Sequence, residues 1–205
     1  MSYDFETGTL FIQIPKTGCM AINQSRRSPY TSGEINHFVL AHWEKLLGKS
    51  PERVFAVWRD PIERFRSAYA FQSTKPKGFY SGVTGERVAP LLFEQREIAL
   101  GGTVTDWIEW LLEDKSPRNR FGDNALYWPQ KHFLEGEAKV ELLRFEKLDE
   151  EYPRLVRELG LDRYRLPLHK INVTGHPKPI LTARDEALLR EIYAEDFEPQ
   201  EFYYD

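Results

Sequence analysis

Residues Leu10 to Ile22, Leu-Phe-Ile-Gln-Ile-Pro-Lys-Thr-Gly-Cys-Met-Ala-Ile, constrain this chain more than any other stretch. The first five form a short apolar run rich in Ile, the pattern of a buried strand. Pro15 stops it, because a prolyl nitrogen has no hydrogen to give a sheet ladder. Gly18 permits a tight turn, and Cys19-Met20-Ala21-Ile22 can open a helix. Unpaired N–H groups and the helix dipole at such a junction favour an anion, and Lys16 adds a full charge. The Walker pattern GxxxxGK[ST] is absent. Taken alone, the stretch fits an ordinary strand-to-helix connection with an exposed Lys equally well.

The rest of the chain alternates helical and strand patterns. His37–Leu47 reads as a helix stopped by Gly48 and Pro51, and Val54–Trp58 as a strand buried on both faces. Asp60, Pro61 and Glu63 fill the N-cap, N1 and N3 positions of a helix running from Ile62 to about Gln72. Ser73–Pro90 is a long loop carrying Lys75, Lys77, Phe79, Tyr80 and Arg87, a length at which loops are often functional. Helical patterns follow over Leu91–Leu100 and Val104–Leu112. Lys139–Arg144 alternates as a strand, Leu148–Leu159 is an amphipathic helix closed by Gly160, and Thr182 caps a last helix with Asp185 at N3. The aromatic, acidic tail Phe197–Asp205 is expected to pack on the body. Strands separated by helices, with no hairpin signal, imply an α/β fold with a parallel sheet. At 205 residues, one domain spanning 1–205 is the simplest expectation.

Charge narrows the partners. Residues 1–100 hold 13 Lys+Arg against 10 Asp+Glu, and residues 101–205 hold 15 against 22. That balance argues against a nucleic-acid binder and permits one local basic pocket. Cys19 is the only cysteine, so an internal disulfide and a cysteine-built zinc site are excluded. No apolar run is long enough for a membrane span and no signal-peptide core is visible, so a cytoplasmic protein is expected.

A second motif, Trp58-Arg59-Asp60-Pro61-Ile62-Glu63-Arg64-Phe65-Arg66-Ser67-Ala68-Tyr69, places Arg59 at the C-terminal end of a strand, where open α/β sheets hold ligands. Ser67 falls about two helical turns later. An Arg fork matches phosphate oxygens and a Ser hydroxyl can add a bond. An isolated Arg-Asp-Pro would fit a surface pairing of Arg59 with Asp60 or Glu63 as well.

With both motifs present, the chain resembles the sulfotransferases that use 3′-phosphoadenosine 5′-phosphosulfate (PAPS), and looks closest to the carbohydrate sulfotransferases and their bacterial relatives. Pro15-Lys16-Thr17-Gly18, followed by Cys19 and Met20, matches the family loop that holds the 5′-phosphosulfate. Arg59-Asp60-Pro61 with Arg64, Ser67 and Tyr69 matches its 3′-phosphate motif. Weaker echoes are the length of His37–Gly48, the segment Trp128-Pro129-Gln130, and Asn172 in Ile-Asn-Val-Thr. The resemblance spans roughly Phe11 to Phe197. It implies a P-loop-NTPase-like three-layer fold with a central parallel sheet flanked by helices, PAPS as donor, a hydroxyl acceptor such as a carbohydrate or glycoside, and no metal.

In that picture Lys16 meets the charge developing on the leaving 5′-phosphate. Backbone N–H groups from Thr17 to Met20 and the Thr17 hydroxyl hold that phosphate. Arg59 and Ser67 hold the 3′-phosphate, and Asn172, in a loop with His169 and Lys170, stands near the nucleotide. A His base would take the acceptor proton, with His37 first, His42 second and the carboxylate of Glu34 third. His132, His169 and His176 are further cleft candidates, and Trp128 fits either sugar stacking or core. Two other readings remain at this point: a nucleotide or nucleoside kinase with an unusual phosphate loop, and a non-catalytic nucleotide-binding module.

Overall fold

The structure, a computed structural model, describes residues 3–25, 37–73, 102–113, 125–160, 168 and 177–204. The loop through Lys75 and Arg87, the helix expected over 91–100, and Glu34, His169, Lys170, Asn172 and His176 lie outside the described residues. The strands are β1 (Tyr3–Asp4), β2 (Thr9–Ile12), β3 (Arg53–Trp58) and β4 (Val140–Arg144). The helices are α1 (Cys19–Ser25), α2 (Leu40–Leu47), α3 (Pro61–Ser73), α4 (Val104–Glu113), the single turn α5 (Gln130–Phe133), α6 (Leu148–Glu158) and α7 (Ala183–Ile192). Short 3-10 turns cover Phe145–Lys147 and Ala194–Phe197.

The sheet has the order β1-β2-β3-β4. β2, β3 and β4 run parallel, with Phe11 opposite Phe55 and Ala56 opposite Leu142. This is an α/β fold with a four-stranded, mostly parallel sheet. β2 is buried throughout, as is β3 from Val54 onward, which explains their near-continuous apolar sequences.

One expectation fails at the N-terminus. β1 pairs antiparallel with β2, Tyr3 opposite Leu10, so the chain does open on a hairpin. A two-residue strand has no alternation to read. Its signal is in the turn: the Asp4 carboxylate accepts from the backbone N–H groups of Glu6 (2.9 Å) and Thr7 (3.3 Å), and Gly8 adopts φ 65°.

By their contacts the described residues fall into two compact units. The first draws on 1–60, 130–173 and 199–205. Its core stacks Phe11 on Phe55 (4.9 Å between ring centroids) and adds Val57, Leu143, Tyr152, Leu155 and Val156. Ile22 of α1 and Cys19 belong to the same cluster. The tail packs on this unit as expected: Tyr203 donates its N–H to Leu142 O (2.9 Å), and the Arg144 guanidinium lies 4.3 Å from the Phe202 ring.

The second unit draws on 61–129 and 174–198. Phe65, Trp107, Ile108, Leu111, Tyr127, Leu189 and Tyr193 form its core. The cap read from sequence is present in full: Thr182 Oγ1 accepts from the Asp185 N–H, and the Asp185 carboxylate accepts from the Thr182 N–H. Burial would raise the pKa of Asp185, but its bonds from Thr182 and Thr105 outweigh that and lower it. Among the described residues no helix is long and apolar enough to cross a membrane.

Candidate functional site

The loop from Gln13 to Gly18 is built from backbone. Beyond β2, Ile14 turns back on Ile12 O (3.2 Å) and its own carbonyl then accepts twice, from Thr17 Oγ1 (2.8 Å) and Cys19 Sγ (3.0 Å). Lys16 has φ 67°, the only left-handed non-glycine backbone among the described residues. For an L-residue that conformation costs roughly 1–2 kcal/mol, and such strain gathers at ligand clamps. Gly18 follows at φ 89°, a conformation that favours glycine, and a Cβ there would crowd Leu148 Cδ2 at 3.1 Å. The Ile22 N–H to Gly18 O bond (3.2 Å) starts α1.

The same bonds fix where the side chains point. Thr17 is fully buried and its hydroxyl proton goes to Ile14, so the expected hydroxyl contact to a phosphate is not its arrangement here. Cys19 is likewise turned inward, and burial raises its thiol pKa and keeps it neutral. Any part these two residues play in holding an anion therefore falls to their backbone. Pro15 is buried, while Lys16, Gly18 and Met20 are half-buried.

The two sequence motifs meet at Arg59. Its Nη1 donates to Lys16 O at 2.9 Å, across 43 residues of chain, and its guanidinium lies 4.1 Å from the centre of the Phe145 ring. Only 8% of Arg59 is exposed. Its backbone is gripped by a buried amide. Gln130, fully buried on α5, accepts from the Arg59 N–H (3.1 Å) and donates to the Arg59 carbonyl (2.8 Å), as a neighbouring strand would. Sequence reading noticed Gln130 as part of a motif but gave it no role, and nothing marked Phe145.

His37 stands beside the same loop. Its Nδ1 lies 2.6 Å from Gln13 O, and a carbonyl only accepts, so Nδ1 carries the hydrogen. In the neutral ring the basic lone pair then sits on Nε2. The Gln13 side chain accepts in turn from Asn23 Nδ2 (3.0 Å). The helix behind His37 is moored: Ala41 donates to Glu135 O (2.8 Å), and the Glu44 carboxylate accepts from the N–H groups of Glu137 (3.0 Å) and Ala138 (2.8 Å). His42 is exposed, with its ring 4.5 Å from that of Phe38. His132 pairs with Glu135 (2.9 Å).

Ser67 stands half-buried on α3, within the second unit. Its motif neighbours serve that unit. Arg64 is buried and donates to Leu126 O (3.1 Å), and Tyr69 stacks on Phe65. Trp128 packs against the second core, the structural half of its two readings. Glu63 binds both Arg66 and Lys178; burial opposes its ionisation, but the two cations prevail and lower its pKa. Among the described residues no group of three or more His, Cys, Asp or Glu is placed to hold a metal ion. No family model matches the chain, and neither do any curated protein or solved structure.

Proposed function

We propose that this chain is a PAPS-dependent sulfotransferase, with a P-loop-like core, that moves a sulfuryl group to a hydroxyl acceptor such as a carbohydrate or glycoside. The observation that carries the reading is the contact between Arg59 and the carbonyl of the left-handed Lys16. It joins two motifs, each suited to one phosphate, at the C-terminal ends of adjacent parallel strands.

The chemistry assigned to the residues is in-line transfer through a loose transition state, in which positioning and charge stabilisation dominate. The acceptor O–H gives its proton to His37 Nε2 as its oxygen attacks sulfur. The bond from sulfur to the bridging oxygen breaks, and that oxygen leaves with the electron pair on the 5′-phosphate. The Lys16 ammonium stabilises the charge that develops there. Backbone N–H groups of Thr17 to Met20 hold the 5′-phosphate. The planar Arg59 fork, with Ser67 assigned to the same phosphate by the motif, selects a 3′-phosphate, and Asn172 is assigned to the nucleotide more generally. The products are the sulfated acceptor and 3′-phosphoadenosine 5′-phosphate (PAP). The reading needs no metal, because a sulfuryl group carries less charge than a phosphoryl group.

Thermal shift with PAP, ATP and AMP, with and without Mg²⁺, tests it. Stabilisation selective for PAP and independent of metal is expected. Equal stabilisation by ATP and PAP would remove Arg59 and Ser67 from nucleotide selection, and a Mg²⁺-dependent response to ATP would point to a kinase. PAP binding without transfer of label from PAPS to any hydroxyl would leave a binding module.

A further inference from the structure

Helix α1 holds the exit of β2 from one face. Cys19 and Asn23 stand four residues apart, so they share one side of the helix. Cys19 Sγ donates to Ile14 O (3.0 Å), and Asn23 Nδ2 donates to Gln13 Oε1 (3.0 Å). Gln13 lies at the apex of a three-residue turn, closed by the Ile14 N–H on Ile12 O (3.2 Å). The peptide that gives this N–H carries the Gln13 carbonyl on its opposite side, where His37 Nδ1 meets it at 2.6 Å. Gln13 is buried, so its side-chain amide has to be satisfied within the protein. Asn23 contributes little stability of its own. Its Oδ1 is buried without a hydrogen-bond partner, and such an atom destabilises by about as much as an ordinary hydrogen bond stabilises.

We infer that Asn23 is a positioning residue for His37, acting through Gln13: by fixing the Gln13 side chain it stops the Gln13–Ile14 peptide from rotating and keeps a carbonyl in front of Nδ1. This rests on the proposed sulfuryl transfer, in which His37 takes the acceptor proton. A neutral imidazole in water prefers its hydrogen on Nε2, the atom that has to act as base here, and the carbonyl reverses that preference. Asn23 stands on the helix that follows Lys16, so the base and the anion loop are set by the same few residues.

Asn23→Leu tests this, read by heteronuclear NMR of the His37 ring at alkaline pH, where the ring is neutral. In the wild type the hydrogen should sit on Nδ1; in the variant the ring should shift towards the Nε2–H form. The melting temperature should stay within about 4 °C of the wild type, because one orphaned acceptor replaces another. In turnover kcat should fall roughly threefold to tenfold, with the PAPS KM within about twofold and the PAP-induced thermal shift unchanged. In a His37→Ala background, Asn23→Leu should lower kcat no further. Asn23→Ala, which adds no bulk, carries the same expectations if the leucine variant does not fold. A wild-type tautomer in a folded Asn23 variant, or an equal kcat loss in the His37→Ala background, would overturn the positioning role. A wild type with no PAP shift would instead overturn the sulfotransferase reading, while the tautomer would still report whether Asn23 holds the ring.

Discussion

Two strand-to-helix connections leave the C-terminal ends of the adjacent parallel strands β2 and β3, and they are held in opposite ways. The loop after β2 organises itself. Ile14 O gathers Thr17 and Cys19, and the left-handed Lys16 and Gly18 bend the chain within six residues of the strand. The connection after β3 is only Arg59-Asp60, and its backbone relies on Gln130, 71 residues away. The first stores strain and the second borrows a partner. The bond from Arg59 Nη1 to Lys16 O joins them. A strained loop is useful to a ligand only if something outside it holds it still, and the cation of the second connection serves as that hold.

Removing the charge from the strained loop should have the largest effect. Lys16→Ala is expected to lower kcat for PAPS by about 10²–10³, the scale of losing one preorganised charge partner. Retained turnover would exclude Lys16 from the reaction. Lys16→Gly should share that loss yet raise folding stability by roughly 1 kcal/mol, because glycine accepts φ 67° without strain. A less stable Lys16→Gly in denaturant titration would mean the backbone there is not strained.

The borrowed support comes next. Gln130→Ala leaves the buried N–H and C=O of Arg59 without their partner and should cost about 2–4 kcal/mol in chemical denaturation. A loss under about 1 kcal/mol would show that the second connection holds itself. Arg59→Lys keeps the charge but not the fork, and should cut the preference for PAP over AMP roughly tenfold in calorimetry. An unchanged preference would leave Arg59 with only its structural bond to Lys16.

The smallest effect is expected at Cys19. A serine can donate to Ile14 O as the thiol does, so Cys19→Ser should alter stability by less than about 1 kcal/mol and leave PAP binding intact. The wild-type thiol should resist alkylation at pH 8 until the protein unfolds. Because burial raises its pKa, it supports the fold fully below the unfolded value near 9 and loses that support as pH rises towards the folded value. Cys19→Ser should flatten that alkaline slope. Fast alkylation of the native protein would mean the loop opens.

What could be read in advance follows from what is local. The β2 strand, the Pro-Lys-Thr-Gly turn, β3 and the Thr182–Asp185 cap are each specified within a few residues, and each is present. The inward turn of Thr17 and Cys19 was not legible, because it depends on φ at Lys16, a residue with no sequence mark of left-handed backbone. Gln130 was seen without a role because its partner is remote, and β1 was too short to carry a pattern. For the site, the sequence named His37, Lys16 and Arg59; the Gln13 carbonyl that orients His37 and the Phe145 face under Arg59 are visible only in three dimensions.

The mooring of α2 has a mechanical consequence. Glu44 grips the bend that leads into β4, and at Gly136 an added Cβ would come within 2.5 Å of Leu40 Cγ, so the first turn of the helix rests directly on that backbone. His37 therefore travels with the sheet as a fixed mount, registered against the same frame as Lys16. The spacing between His37 and the Lys16 loop is set at folding, and under the proposed sulfuryl transfer an incoming acceptor has to fit a gauge already cut. A side chain at Gly136, remote from any reacting atom, would shim that mount and detune the gap without touching either group.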